Sequence, residues 1–85
     1  MKIKDIRNKI TNETRIDGRY PLRIGSEVEL IEKPEIDFCL WWRYVTDNQG
    51  NPKSGILRTS LITKIEETTT ELIIHTINSI YVFEK

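Results

Sequence analysis

Between two long runs of aromatic and branched residues lies the segment Asp47-Asn48-Gln49-Gly50-Asn51-Pro52-Lys53-Ser54, in which turn formers crowd together. Asn, Asp, Gly and Pro at that density interrupt helix and strand alike and mark a loop. The flanking runs, about Phe38–Thr46 and Gly55–Glu66, are dominated by residues that favour strands. The chain must therefore make a hairpin of two long antiparallel strands, and everything else has to be arranged around it.

Further strands follow from the same signals. Gly25-Ser26 opens one through Glu27–Ile31, closed by Pro34. Glu67–Thr70 turns the chain into Glu71–Ile77, and Asn78-Ser79 makes a tight turn into Ile80–Glu84. The reading is a mainly β fold, a five-stranded antiparallel barrel or curled meander. Ahead of it, Ile3, Ile6 and Ile10 recur at helical spacing and predict a short amphipathic helix or an extended arm. Asn12–Gly18 reads as loop, and Asp17-Gly18-Arg19-Tyr20 suits a tight turn presenting Arg19. Without repeats or a linker, residues 1–85 form one domain: helix or arm and loop over 1–23, barrel over 24–85.

Strand alternation assigns faces. Phe38, Leu40, Trp42 and Tyr44 share one side of the hairpin's first strand, with Cys39, Trp41, Arg43 and Val45 on the other. In the second, Leu57, Thr59, Leu61, Thr63 and Ile65 oppose Arg58, Ser60, Ile62 and Lys64. Pairing Thr46 with Gly55 brings the apolar sets together, and a slip by one residue would separate them. The same register sets Arg43 opposite Arg58 and Trp41 opposite Ser60 on the outer face. An outward tryptophan beside two arginines, with Lys53 at the rim, has the composition of a binding hot spot. The competing reading has neighbouring glutamates neutralise the arginines and the N-terminal arm cover Trp41.

The last hairpin is apolar on both faces. Leu72, Ile74, Tyr81 and Phe83 lie on one, and Ile73, Ile77, Ile80 and Val82 on the other. A sheet with one wet side should alternate. The second set is thus expected to be covered by the N-terminal segment or by another chain, including a second copy of this one.

Catalytic chemistry finds few candidates. His75, the only histidine, sits between strand residues and reads as packed, and Cys39, the only cysteine, as a small buried hydrophobe. One Cys and one His fall short of a zinc site. The acidic run Glu27, Glu29, Glu32, Glu35 and Asp37 lacks the glycine-anchored spacing of a calcium loop, and no phosphate loop is present. No metal or cofactor is expected, and no enzymatic activity. Lacking a secretory leader and any membrane-spanning run, with a lone thiol, the chain reads as cytoplasmic with no membrane partner.

Net charge is zero but comes in blocks: +4 over residues 1–25, −4 over 26–39, +3 over 40–64 and −3 over 65–85. A neutral total disfavours non-specific adhesion to nucleic acid. The strand order, with Ile24-Gly25-Ser26-Glu27-Val28-Glu29-Leu30 leading into paired long strands, resembles small SH3-like barrels. The tail, with Arg58-Thr59-Ser60, Thr76, Asn78-Ser79 and Tyr81, resembles short proteins of prophages and mobile elements. What the resemblance implies is a binding scaffold. The first expectation is a module that docks on a host protein to inhibit or redirect it. A nucleic-acid binder using Trp41, Arg43, Arg58 and Lys53, or an oligomeric binder of a small anion such as a nucleotide, are the alternatives.

Fourteen isoleucines and no alanine point to AT-rich codons. The coding sequence is expected to fall below one-half GC, and sequencing of the gene with a value above that would refute the inference.

Overall fold

From residue 24 onward each expected strand is present, within a residue or two of its anticipated ends. The computed structural model describes all 85 residues. In chain order these form β1 (Lys2–Asn8), a short helix α1 (Tyr20–Arg23), β2 (Glu27–Leu30), β3 (Cys39–Thr46), β4 (Ile56–Glu67), β5 (Glu71–Thr76) and β6 (Ser79–Glu84). All neighbours are antiparallel, and the ring β1-β2-β3-β4-β5-β6 closes through β1 and β6. The mainly β barrel is as expected, with one more strand than the five counted from sequence.

The extra strand is the N-terminal segment, which is neither helix nor loose arm. β1 pairs with β6 along its length, from Lys2↔Glu84 to Asn8↔Ser79. On its other side it meets β2 through Lys2↔Glu27, with Ile3 N–H donating to Ser26 O and Gly25 N–H to Ile3 O. Gly25 is required there: its φ is +95°, and a Cβ would lie 3.4 Å from Asn48 Cβ. The helical spacing of Ile3 and Ile6 has another cause. A bulge between Ile3 and Asp5 adds a residue to β1, so positions three apart turn to the same side. Both isoleucines are fully buried in the core, while Ile10, beyond the strand, is 93% exposed.

Trp42 occupies the centre with no exposed surface. The rings of Tyr44, Tyr81 and Phe83 meet it edge-on, at centroid distances of 6.1, 5.5 and 5.8 Å. Leu40, Ile62, Ile74 and Val28 complete the packing. The expected parity of β3 therefore holds for Leu40, Trp42 and Tyr44, whereas Phe38 lies just outside the strand and is exposed.

The hairpin registers are each two residues away from expectation, which preserves parity but changes partners. Trp42 faces Leu57, Trp41 faces Arg58 and Arg43 faces Ile56. Arg43 and Arg58 are thus not opposite one another. Further along β4 the alternation itself breaks. One bulge lies where Cys39 pairs with Leu61, and a second between Ile62 and Lys64. At the first, the Leu40 N–H donates to Thr59 Oγ1 in place of a ladder carbonyl. Leu57 and Thr59 point in, then Ile62, then Ile65; Leu61, expected inside, is exposed.

At the last hairpin the turn is Ile77-Asn78, one residue earlier than anticipated. Thr76 Oγ1 donates to Ser79 O and accepts from Ser79 N–H, a buried clasp that fixes His75↔Ile80, Ile74↔Tyr81 and Leu72↔Phe83. Of the second apolar set, Ile80 and Val82 are buried within this chain, with the N-terminal segment beside them as β1 and not across the face. Ile80 and Val82 keep 7% and 2% of their surface. In register they are flanked by His75 and Arg7 and by Ile73 and Asp5, with the ion pairs Asp5–Arg7 and Glu66–His75 alongside. Ile77 stands apart in the turn, exposed.

Deleting Lys2–Asn8 should leave a chain without dispersed amide signals in NMR, because a strand paired on both sides is lost. A folded barrel from residues 9–85 would refute this. In urea unfolding Ile6→Ala should cost about 2–5 kcal/mol, and Ile10→Ala less than about 0.5 kcal/mol.

Candidate functional site

β3 and β4 place alternate side chains on the barrel's outside, and there the expected residues are found. Trp41 is half-buried and paired with Arg58; Arg43 is exposed and paired with Ile56. Arg43 also pairs with Glu29 on β2, where its guanidinium reaches a carboxylate at 4.0 Å. Arg58 has no carboxylate within that distance. Val45, Ile56 and Leu61, at 40%, 60% and 46% exposure, extend the patch along the two strands. Trp41 also lines a depression of about 160 Å³ with Pro34, Phe38 and the carboxylates of Glu32 and Glu35. This face is mixed: a basic, apolar stripe running into an acidic loop.

Lys53 adjoins the end of this stripe, its N–H donating to Val45 O, but its side chain turns to the barrel's end. Its ammonium lies 4.1 Å from the centroid of the Tyr44 ring, a residue of the inward set. It faces a second concavity, about 210 Å³, at the end of the barrel where β3 finishes and β4 begins. Arg19, Leu22 and Arg23 line it together with Ser54, Gly55, Ile56 and Leu57. Arg19 was foreshadowed by the turn at Asp17–Tyr20. Arg23, Leu22 and the Ser54–Gly55 backbone carry no local sequence signal, because only barrel closure brings residues 19–23 beside residues 53–57.

The α1 side of this groove is fixed by Arg15. Its guanidinium makes two bonds to Asp17, at 3.0 and 2.6 Å, and lies 4.0 Å over the Tyr20 ring. It also donates to Ser79 Oγ at 2.8 Å and to Asn78 O. The bond from Arg15 holds the Asp17 carboxyl below its usual range, and the same bond raises the guanidinium. Arg15 is thus committed to tying the 9–18 loop to the β5–β6 turn.

No group of three or more His, Cys, Asp or Glu is placed to hold a metal ion. Cys39 is half-buried, not sealed. His75 Nε2 lies 2.8 Å from Glu66 Oε2 on the outer face, and this contact, with Lys64, keeps Glu66 below its ordinary pKa. No helix is long and apolar enough to cross a membrane. Comparison with family models, with curated proteins and with solved structures finds no match to this chain.

Burial pushes the Tyr81 phenol up to about 12, with Tyr20 adding to the effect. The folded value exceeds the ordinary 10.0. Its contribution to stability is therefore complete below pH 10 and is lost as pH rises from 10 towards 12. Tyrosinate absorbance should show one of the three tyrosines ionising last, and Tyr81→Phe should flatten the loss of stability over that range. Three coincident titrations below it would contradict the assignment.

Proposed function

We propose that the chain is a small non-enzymatic binding module that acts inside the cell by docking on another protein through the outer face of β3 and β4. The observation that carries this reading is the stripe itself. Val45, Ile56 and Leu61 are exposed on a chain that elsewhere hides its strand apolars, with half-buried Trp41, Arg43 and Arg58 among them. Tryptophan and arginine beside aliphatic surface is the composition from which binding hot spots are built. Barrel closure supports the reading: every strand has a hydrogen-bonded neighbour on each side, so no wholly free edge strand offers itself for sheet extension. Recognition has to use side chains.

The isoleucine-rich, alanine-free composition and the resemblance of the tail to prophage and mobile-element proteins supply the finer proposal. The partner is a host protein, and docking inhibits or redirects it. The nucleic-acid alternative is less well served, because Trp41 is only half-exposed and the adjoining loop carries Glu32 and Glu35.

The test is affinity capture from an extract of the source cell, with wild-type, Trp41→Ala and Arg58→Glu proteins of equal fold by circular dichroism. A protein retained stoichiometrically by the wild type should be retained about tenfold or more weakly by each variant. No stoichiometric protein, or unchanged retention by both variants, would overturn the proposal. Retention that disappears on nuclease treatment would move the function to nucleic acid.

A further inference from the structure

Of the thirteen Lys and Arg side chains, six have a carboxylate within 4.0 Å: Lys4, Arg7, Arg15, Arg43, Lys64 and Lys85. Three of the seven that do not, Arg19, Arg23 and Lys53, line the one groove at the end of the barrel. No carboxylate lines it with them. Two of these cations are positioned by ring faces instead. Arg23 sits 5.2 Å from the Tyr20 centroid and Lys53 4.1 Å from that of Tyr44. A ring attracts a cation through its quadrupole but carries no net charge, so the positive field remains available to a ligand.

The backbone agrees with the side chains. The N–H groups of Ser54 and Gly55 donate to no acceptor in the protein, and Ser54 Oγ is likewise unbonded. The lining carbonyls of Arg19, Arg23 and Gly55 are already used, accepting from Leu22, Ser26 and Tyr44. Asp47, nearby in the loop, is held ionised by the amides of Asn51 and Gln49 and its charge also acts on Lys53, but it does not line the groove. What lines the groove is three cations and two residues whose amides have no acceptor in the protein, with exposed Leu22 and Ile56 beside them.

We propose that this groove is a binding site for a small phosphate ester, its phosphoryl oxygens taken by Arg19, Arg23, Lys53 and the Ser54–Gly55 amides, and its body lying against Leu22 and Ile56. A single carboxylate would leave most of the positive charge unmatched. A phosphoryl group brings close to two negative charges and three strong acceptor oxygens, and guanidinium forks suit it. A volume of about 210 Å³ suits a compact ligand. With cations already over the faces of Tyr20 and Tyr44, neither ring is free to stack the successive bases of a single strand. The site is independent of the docking stripe, sharing only Ile56, so either can fail alone.

The experiment is amide NMR titration of the full chain with pyrophosphate, with ADP and with a short oligothymidine, against sodium chloride at matched ionic strength. Pyrophosphate or ADP should shift the Ser54 and Gly55 amides saturably, and chloride should not. Arg19→Gln, which removes a side chain with no partner in the protein, and Lys53→Gln should each weaken binding by about tenfold. Tighter binding of ADP than of pyrophosphate would assign the difference to Leu22 and Ile56. The proposal is overturned if these amides do not move, if they move equally with chloride, if Arg19→Gln binds as wild type, or if oligothymidine binds more tightly per phosphate than either small probe.

Discussion

Closure of the sheet by β1 is the constraint on which the rest depends. A five-stranded curl from β2 to β6 would leave two edges, each with a row of unpaired amides and carbonyls. β1 covers the β6 edge along its length and ties to β2 at its start, which closes the ring. It also supplies Ile3 and Ile6 to a core of modest size. For a chain of 85 residues, which buries a smaller share of its surface than a larger domain, two fully buried isoleucines are a substantial fraction of the available apolar burial. The amide of Gly25, the bulge after Ile3 and the Trp42 ring cluster are all arranged around that closure.

Which parts were legible in the sequence follows from how each kind of information is encoded. Turn chemistry and alternation are local, so the central and final hairpins, the inward Trp42 and the outward Trp41 could be read from residue order. Register is set by the clasp a turn makes. The Thr76–Ser79 clasp moved the last turn by one residue and the pairing by two. Bulges are the harder case: they invert alternation without any composition of their own. In β4 they turned Leu61 outward and Ile62 inward, and in β1 a bulge made a strand look like a helix by placing Ile3 and Ile6 on one side. Period three in a short segment is therefore consistent with a bulged strand as well as a helical turn.

The charge blocks acquire a meaning once the chain is folded. β3 begins beside the loop that carries Glu32, Glu35 and Asp37 and ends beside the groove of Arg19, Arg23 and Lys53. The neutral total conceals opposite charges gathered towards opposite ends of one strand. Elsewhere six cations are neutralised at short range, as at Asp5–Arg7, Asp17–Arg15 and Glu67–Lys85. Exposed pairs of this kind add little stability each, but they flatten the local field. What they leave unbalanced is confined to a few places.

Those places coincide with the surfaces a closed barrel can still use. With the sheet closed into a ring and the interior filled by Trp42 and its neighbours, chemistry has to be done by side chains outside or by loops at the ends. The outer face of β3 and β4 offers aliphatic surface with arginines, suited to a broad and shallow contact. The groove offers convergent donors in a concavity, suited to a compact anion. One is built from strand alternation and the other from loop proximity. Because the two draw on different features of the same closure, a substitution outside the shared Ile56 that flattens one leaves the geometry of the other intact, and the barrel can carry both.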